Sequence, residues 1–127
     1  MIKDIIILGS TGSIGQSTLN VITKDKLKFR IKLLTTNKNI KKIYNQAIDF
    51  NVKKVVVNDK KKFGRFAEIF KKKKIKVFFT LDDALKNNKK KVYFTVSAIS
   101  GLNGLYPTIK IIKYTKNLGL ANKESII

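Results

Sequence analysis

The stretch from Asp4 to Ile22, DIIILGSTGSIGQSTLNVI, restricts the fold more than any other in the chain. Ile5, Ile6, Ile7 and Leu8 form an unbroken apolar run, as expected of a strand buried on both faces of a parallel sheet; a half-exposed strand would alternate. The run stops at Gly9. Beyond Gly12 the period changes: Ile14, Leu19, Val21 and Ile22 recur at helical spacing, with Gln16, Ser17, Asn20 and Thr23 in the polar positions between them. A strand therefore feeds a helix through a glycine turn.

Glycines at 9, 12 and 15 give G-x-x-G-x-x-G, a spacing variant of the dinucleotide-binding fingerprint. Gly9 permits the sharp turn off the strand, Gly12 lets a diphosphate approach the backbone, and Gly15 lets the new helix pack closely. The free N–H groups of the first helical turn, and the positive end of its dipole, then face the phosphates. Ser10, Thr11 and Ser13 are expected to add hydroxyl donors. A glycine-rich turn without a ligand fits the same letters. A P-loop does not, because Gly15 is followed by Gln16 where that motif needs Lys and then Ser or Thr.

Phe29 to Thr35 reads as a second strand, and its exit carries the next signal. An NAD site places an acid about 20 residues beyond the glycine turn, on the ribose 2′-hydroxyl, whereas an NADP site replaces it with cations or neutral donors. Here the turn reads Thr35-Thr36-Asn37-Lys38-Asn39, with no acid and with a cation able to pair with a 2′-phosphate. NADP is expected. A surface Lys38 and an Asn39 that only caps the next helix are the plainer reading of the same residues.

Ile40, Ile43, Tyr44, Ala47 and Ile48 then mark a helix, Lys54 to Val57 a third strand, and Phe63, Phe66, Ala67 and Phe70 the inner face of a further helix. Ile75 to Phe79 reads as a fourth strand. Thr80 is expected to cap a short helix with Asp82 and Asp83 in its first turn, where adjacent acids suit the dipole better than they suit a metal. Val92 to Val96 forms the fifth strand, followed by a turn rich in small residues from Ser97 to Gly104. Pro107 opens a helix carrying Ile109, Ile111, Ile112 and Tyr114, and Leu118 to Ala121 forms a sixth strand. Tyr106 and Lys110 match the Tyr-x-x-x-Lys pair of short-chain dehydrogenases. The glycine spacing and the proline after Tyr106 argue against that role. Strands alternating with helices across short connections give an α/β fold: a Rossmann-like, doubly wound, mainly parallel sheet with helices on both faces.

Composition narrows the chemistry. The chain has 127 residues, enough for one domain, and neither cysteine nor histidine, so disulfides, thiolate sites and the commonest acid/base group are all missing. Lys and Arg number 28 against 8 Asp and Glu, a net charge of +20. Nearly all of the positive charge is lysine rather than arginine, with runs at Lys60 to Lys62, Lys71 to Lys74 and Lys89 to Lys91, and without interleaved aromatics or a recognition motif. Solvated surface lysine accounts for it better than a specific nucleic-acid partner does. No apolar run approaches the roughly 20 residues of a membrane span, nor does a basic-apolar leader precede the first strand. A cytoplasmic protein without membrane contact is expected. A non-catalytic nucleotide-binding or basic interaction module remains the alternative to an enzyme.

Three blocks in order, ILGSTGSIGQSTLNVI from Ile7, SGLNGLYPTI from Ser100 and GLANKESII from Gly119, resemble 1-deoxy-D-xylulose 5-phosphate reductoisomerase, the NADPH enzyme of the non-mevalonate (MEP) isoprenoid pathway. The resemblance implies that Thr11, Gly12, Ser13 and Ile14 cradle the NADPH diphosphate, and that Lys38 and Asn39 hold the adenosine ribose and its 2′-phosphate. It further implies that Asn122 and Glu124 contact the cofactor near its nicotinamide and that Lys123 meets the phosphosugar substrate, where a cation stabilises developing negative charge. Where that family usually has Gly, this chain has Asn37, a residue that tolerates positive φ better than most.

The family's reaction rearranges 1-deoxy-D-xylulose 5-phosphate and reduces the product with NADPH to 2-C-methyl-D-erythritol 4-phosphate, with Mg²⁺ or Mn²⁺ on the substrate oxygens. By the same resemblance the metal ligands, the flap, a C-terminal helical domain and most of a homodimer contact follow the Ala121 to Ser125 block. Residues 1–127 are thus expected to be an N-terminal NADPH-binding domain with no catalytic or metal-ligating residue of its own, unable to turn over alone.

Overall fold

The computed structural model describes residues 2–25, 27–99 and 105–120. Six parallel strands form one sheet: β1 (Lys3–Leu8), β2 (Phe29–Thr36), β3 (Lys54–Val57), β4 (Lys76–Phe78), β5 (Val92–Ser97) and β6 (Thr115–Leu120). Their spatial order is β4-β3-β2-β1-β5-β6. The chain moves outward from β1 to β4, then returns to the other side of β1 for β5 and β6. The order reverses between β1 and β5, and the carboxyl ends there form the crevice in which open α/β sheets bind their ligands.

Alternation in β1 sends Ile5 and Ile7 to one face and Ile6 and Leu8 to the other, and all four are buried. The first face is covered by α1 (Ser13–Thr23), α2 (Ile40–Asp49) and α3 (Lys60–Lys72), through Leu19, Ile22, Ile43, Ala47 and Phe70 among others. The second carries α4 (Leu81–Leu85) and α5 (Leu105–Ile111), through Ala84, Leu85 and Ile111. A sheet buried on both faces explains the continuous apolar run of β1.

In β2 the letters Ile31-Lys32-Leu33-Leu34 violate strict alternation, because Ile31 and Leu34 reach the first face while Leu33 reaches the second. The sheet accommodates this with a register shift: Ile5 pairs with Ile31 but Ile6 pairs with Leu33, which leaves Lys32 unpaired and exposed.

Several expectations shift by a residue or a face. The buried stripe of α1 is Gly15, Leu19 and Ile22, while Ile14 and Val21 stand 44% and 67% exposed. The stripe begins at a glycine, which hydropathy does not count as an inner position. On α2, Gln46 is buried and Ile48 exposed, the reverse of what polarity predicts. β4 is shorter than expected, Lys76–Phe78, although Ile75 before it is buried. β6 starts three residues before Leu118, since an edge strand tolerates Lys116 and Asn117; Ala121 lies outside the described residues. Phe70 meets the Tyr44 ring edge-on at 5.2 Å, and Phe66 packs half-buried beside it; the Phe63 side chain lies outside the described set. Thr80 does cap α4, its Oγ1 accepting from the Asp83 N–H at 3.2 Å. No helix among the described residues is long and apolar enough to cross a membrane.

Candidate nucleotide-binding site

The site is assembled by the exits of β1, β2 and β5. Gly9 leaves β1 with φ +76°, and a Cβ there would lie 2.9 Å from Ile99 Cγ1 and 3.1 Å from the Ala98 carbonyl carbon. Both the left-handed turn and the close approach of the β5 exit therefore require glycine. The Ala98 N–H donates to Leu8 C=O at 2.8 Å, locking those two exits together. A Cβ on Gly15 would come within 2.4 Å of the Gly9 carbonyl oxygen and 2.6 Å of Ser10 Cα, so α1 starts in direct contact with the turn.

Gly12 differs from both. Its absent Cβ would meet nothing closer than the Gly9 carbonyl oxygen at 3.8 Å, and the residue lines an open cleft. It is the N-cap of α1 with extended backbone and no side-chain cap bond, and no acid stands in the helix's first turn. The orphan N–H groups and the dipole of an 11-residue helix are left to whatever occupies the cleft.

That cleft has a volume of about 630 Å³. Gly9, Thr11 and Gly12 form one wall; Thr35, Thr36, Asn37, Lys38, Asn39 and Asn58 form the second; Ala98, Ile99 and Pro107 close the third. A dense set of hydrogen bonds joins the first two walls. The Gly9 N–H donates to Thr35 Oγ1 at 2.8 Å, the Ser10 N–H to the Thr35 carbonyl at 2.9 Å, and the Thr11 and Thr36 hydroxyls meet at 2.6 Å.

Five residues singled out from sequence, Thr11, Gly12, Asn37, Lys38 and Asn39, meet in this cleft. Ser13 and Ile14 occupy the first turn of α1 directly behind Gly12, both exposed. Asn122, Lys123 and Glu124 lie outside the described residues, as does most of the small-residue turn after β5, whose first members Ala98 and Ile99 do reach the cleft. Asn39 does cap α2, its Oδ1 accepting from the Lys42 N–H at 3.3 Å. Asn37 needs no left-handed backbone: the positive-φ residues other than glycine, among those described, are Asn51 and Lys74.

Ser10 departs from expectation. It is fully buried, its hydroxyl donates to Gln46 Oε1 at 2.8 Å, and it does not line the cleft. Two residues of the site's surroundings escaped the sequence reading. Gln46 reaches Ser10 from α2, and Lys62, on α3, donates from Nζ to the Lys38 carbonyl at 3.0 Å, bringing a second cation beside the β2–α2 turn. Both are contacts between residues far apart in sequence, with no local signature.

Tyr106 and Lys110 do meet, Lys110 Nζ lying 5.6 Å from the Tyr106 ring centroid, but neither lines the cleft. Tyr106 stands 58% exposed on the outer side of α5, away from the cleft, and Lys110 Nζ binds Asp82 at 2.6 Å. The hydrogen bond to Asp82 holds the Lys110 ammonium above its ordinary pKa. Among the described residues no group of three His, Cys, Asp or Glu side chains could hold a metal ion.

Known proteins share this fold. The family model for 1-deoxy-D-xylulose 5-phosphate reductoisomerase matches residues 5–127. The enzyme of that name from Pelagibacter ubique (strain HTCC1062) is 49% identical over 127 residues, covering 98% of this chain and 33% of that protein. That from Clostridium novyi (strain NT) is 36% identical over 128 residues, with the same two coverages, 98% and 33%. Among solved structures, the reductoisomerase from Zymomonas mobilis in complex with NADPH superposes with a TM-score of 0.87 at 30% identity, over 99% of this chain and 33% of that one. A DOX-P reductoisomerase in complex with NADPH, fosmidomycin and magnesium gives 0.87 at 27% identity, over 98% and 31%. The chain thus spans about a third of the length of the relatives it matches. Through the match over residues 5–127, the chain belongs to the 1-deoxy-D-xylulose 5-phosphate reductoisomerase family.

Proposed function

We propose that residues 1–127 form the NADPH-binding domain of a 1-deoxy-D-xylulose 5-phosphate reductoisomerase, acting in the MEP isoprenoid pathway. The observation that carries the reading is the shared cleft. The Thr11–Gly12 turn at the head of α1 and the Asn37-Lys38-Asn39 turn at the head of α2 open into one space of about 630 Å³. Family membership and NADPH in two of the similar structures support it.

In this reading Thr11, Gly12, Ser13 and Ile14 receive the diphosphate on backbone amides and the helix dipole. Lys38, with Asn37 and Asn39 beside it, takes the adenosine ribose and its 2′-phosphate, and Lys62 adds charge. Asn122 and Glu124 serve the nicotinamide end, and Lys123 the phosphosugar. When bound, NADPH supplies hydride donation to the rearranged sugar. This chain's part is to bind and orient the cofactor over the β1–β5 crevice. In this reading the Mg²⁺ or Mn²⁺ ligands, the catalytic residues and most of the contact of a cytoplasmic homodimer are assigned to parts of such an enzyme other than residues 1–127.

Calorimetric titration with NADPH and NADH tests the reading. NADPH is expected to bind at least about tenfold tighter, the worth of one charge-assisted phosphate contact. Equal affinity for both, or none for either, contradicts it.

A further inference from the structure

Gln46 is a polar side chain on the inner face of α2, between Ile43 and Ala47, and is only 8% exposed. A leucine would pack there without any desolvation cost, so the amide needs another reason to be present. It is fully engaged with one residue 36 positions away: Nε2 donates to the Ser10 carbonyl at 2.9 Å, and Oε1 accepts from the Ser10 hydroxyl at 2.8 Å. The Ser10 carbonyl can only accept, which fixes which end of the amide faces it.

The consequence lies one atom further along the chain. A trans peptide is planar, so its C=O and the following N–H point in opposite directions. With the Ser10 carbonyl drawn inward to α2, the Thr11 N–H is turned outward, on a residue that lines the cleft. The preceding atoms of the turn are held separately, by Thr35 on the Gly9 and Ser10 N–H groups.

Resting on the NADPH reading above, we propose that Gln46 is a positioning residue of the nucleotide site, which fixes the Ser10–Thr11 peptide so that the Thr11 amide is presented to the diphosphate. Gln46 belongs to the same helix whose first turn follows Lys38 and Asn39. A single rigid element thereby sets the diphosphate turn against the 2′-phosphate turn.

The test is titration of the 127-residue chain with NADPH and NADH, followed by cofactor fluorescence. Gln46→Met keeps the length of the side chain and removes both hydrogen bonds. It is expected to weaken NADPH and NADH by the same factor, about tenfold for one well-aimed amide on a phosphate. In Gln46→Glu the ionised carboxylate cannot donate to the Ser10 carbonyl, but its acid form can. Its deficit relative to wild type, measured at each pH, is expected to shrink as pH falls from about 8 to about 5.5 through the raised pKa of a buried carboxyl. A role in packing alone lowers stability and leaves the affinity of the folded chain unchanged in both variants.

A Gln46→Met chain that stays folded by circular dichroism and binds NADPH like wild type overturns the proposal, and so does a pH-independent deficit in Gln46→Glu. Should Gln46→Met not fold, the Gln46→Glu profile decides. Wild type failing to bind either nucleotide tells against the NADPH reading itself; wild-type binding with unaltered variants tells against Gln46 alone.

Discussion

The hydroxyls of Thr11 and Thr36 meet at 2.6 Å, tying the turn after β1 to the last residue of β2. Thr36 is almost fully buried whereas Thr11 is half-exposed, so the pair fixes the cleft's first wall to its second. Thr36→Val keeps the shape and removes the bond. It is expected to lower the unfolding free energy by about 1 kcal/mol, read as a drop in the urea midpoint at unchanged m-value, and to weaken NADPH severalfold.

Gly12 and Gly15 separate binding from stability. By helix propensity alone Gly15→Ala would gain up to about 1 kcal/mol. Its new Cβ, however, meets backbone atoms at 2.4 and 2.6 Å, which cannot swing aside as a side chain can. A net loss of about 2 kcal/mol or more is expected in chemical denaturation. Gly12→Ala meets nothing nearer than 3.8 Å. It should cost no more than about 1 kcal/mol as a poorer cap, yet lower NADPH affinity at least about tenfold, because its methyl projects where the diphosphate approaches.

Lys62 is held to the Lys38 carbonyl at 3.0 Å. Both lysines are solvent-exposed, so each contact is screened by salt. Lys62→Met is expected to reduce the preference for NADPH over NADH about threefold at low salt, with little effect at high salt, and Lys38→Met to reduce it more. Parallel titrations with the two nucleotides at two ionic strengths measure both effects; equal losses for NADPH and NADH would remove Lys62 from 2′-phosphate selection.

How much of this was legible from the letters depends on the range of the signal. The buried β1 strand, the glycine turn and the acid-free β2 exit were readable because each is written in consecutive residues. The bulge at Lys32 was not, since it exists only in the pairing of β2 against β1. Ser10 reads as a phosphate-facing hydroxyl from its neighbours, and only the fold shows α2 taking it through Gln46. Likewise the polarity of Gln46 and Ile48 misplaces the inner face of α2, because a satisfied buried amide is as good an inner residue as an aliphatic one.

The core makes a separate prediction. Phe70 is 1% exposed and meets Tyr44 edge-on at 5.2 Å, beneath the first face of the sheet. Phe70→Ala is expected to cost about 3–5 kcal/mol, a large share of the roughly 5–15 kcal/mol available to a domain. Thermal denaturation measures it. Tyr106→Phe, on the outer side of α5, should change neither stability nor nucleotide affinity.

The most direct measurement is a residue-resolved one: amide chemical shifts of the ¹⁵N-labelled chain during titration with NADPH. Our account predicts that the largest shifts fall on Thr11, Gly12, Ser13 and Ile14 and on Lys38 and Asn39, with the second group moved clearly less by NADH, which lacks the 2′-phosphate. Shifts confined to the lysine-rich outer surface of α3, or shifts of equal size on Lys38 and Asn39 with both nucleotides, would contradict it.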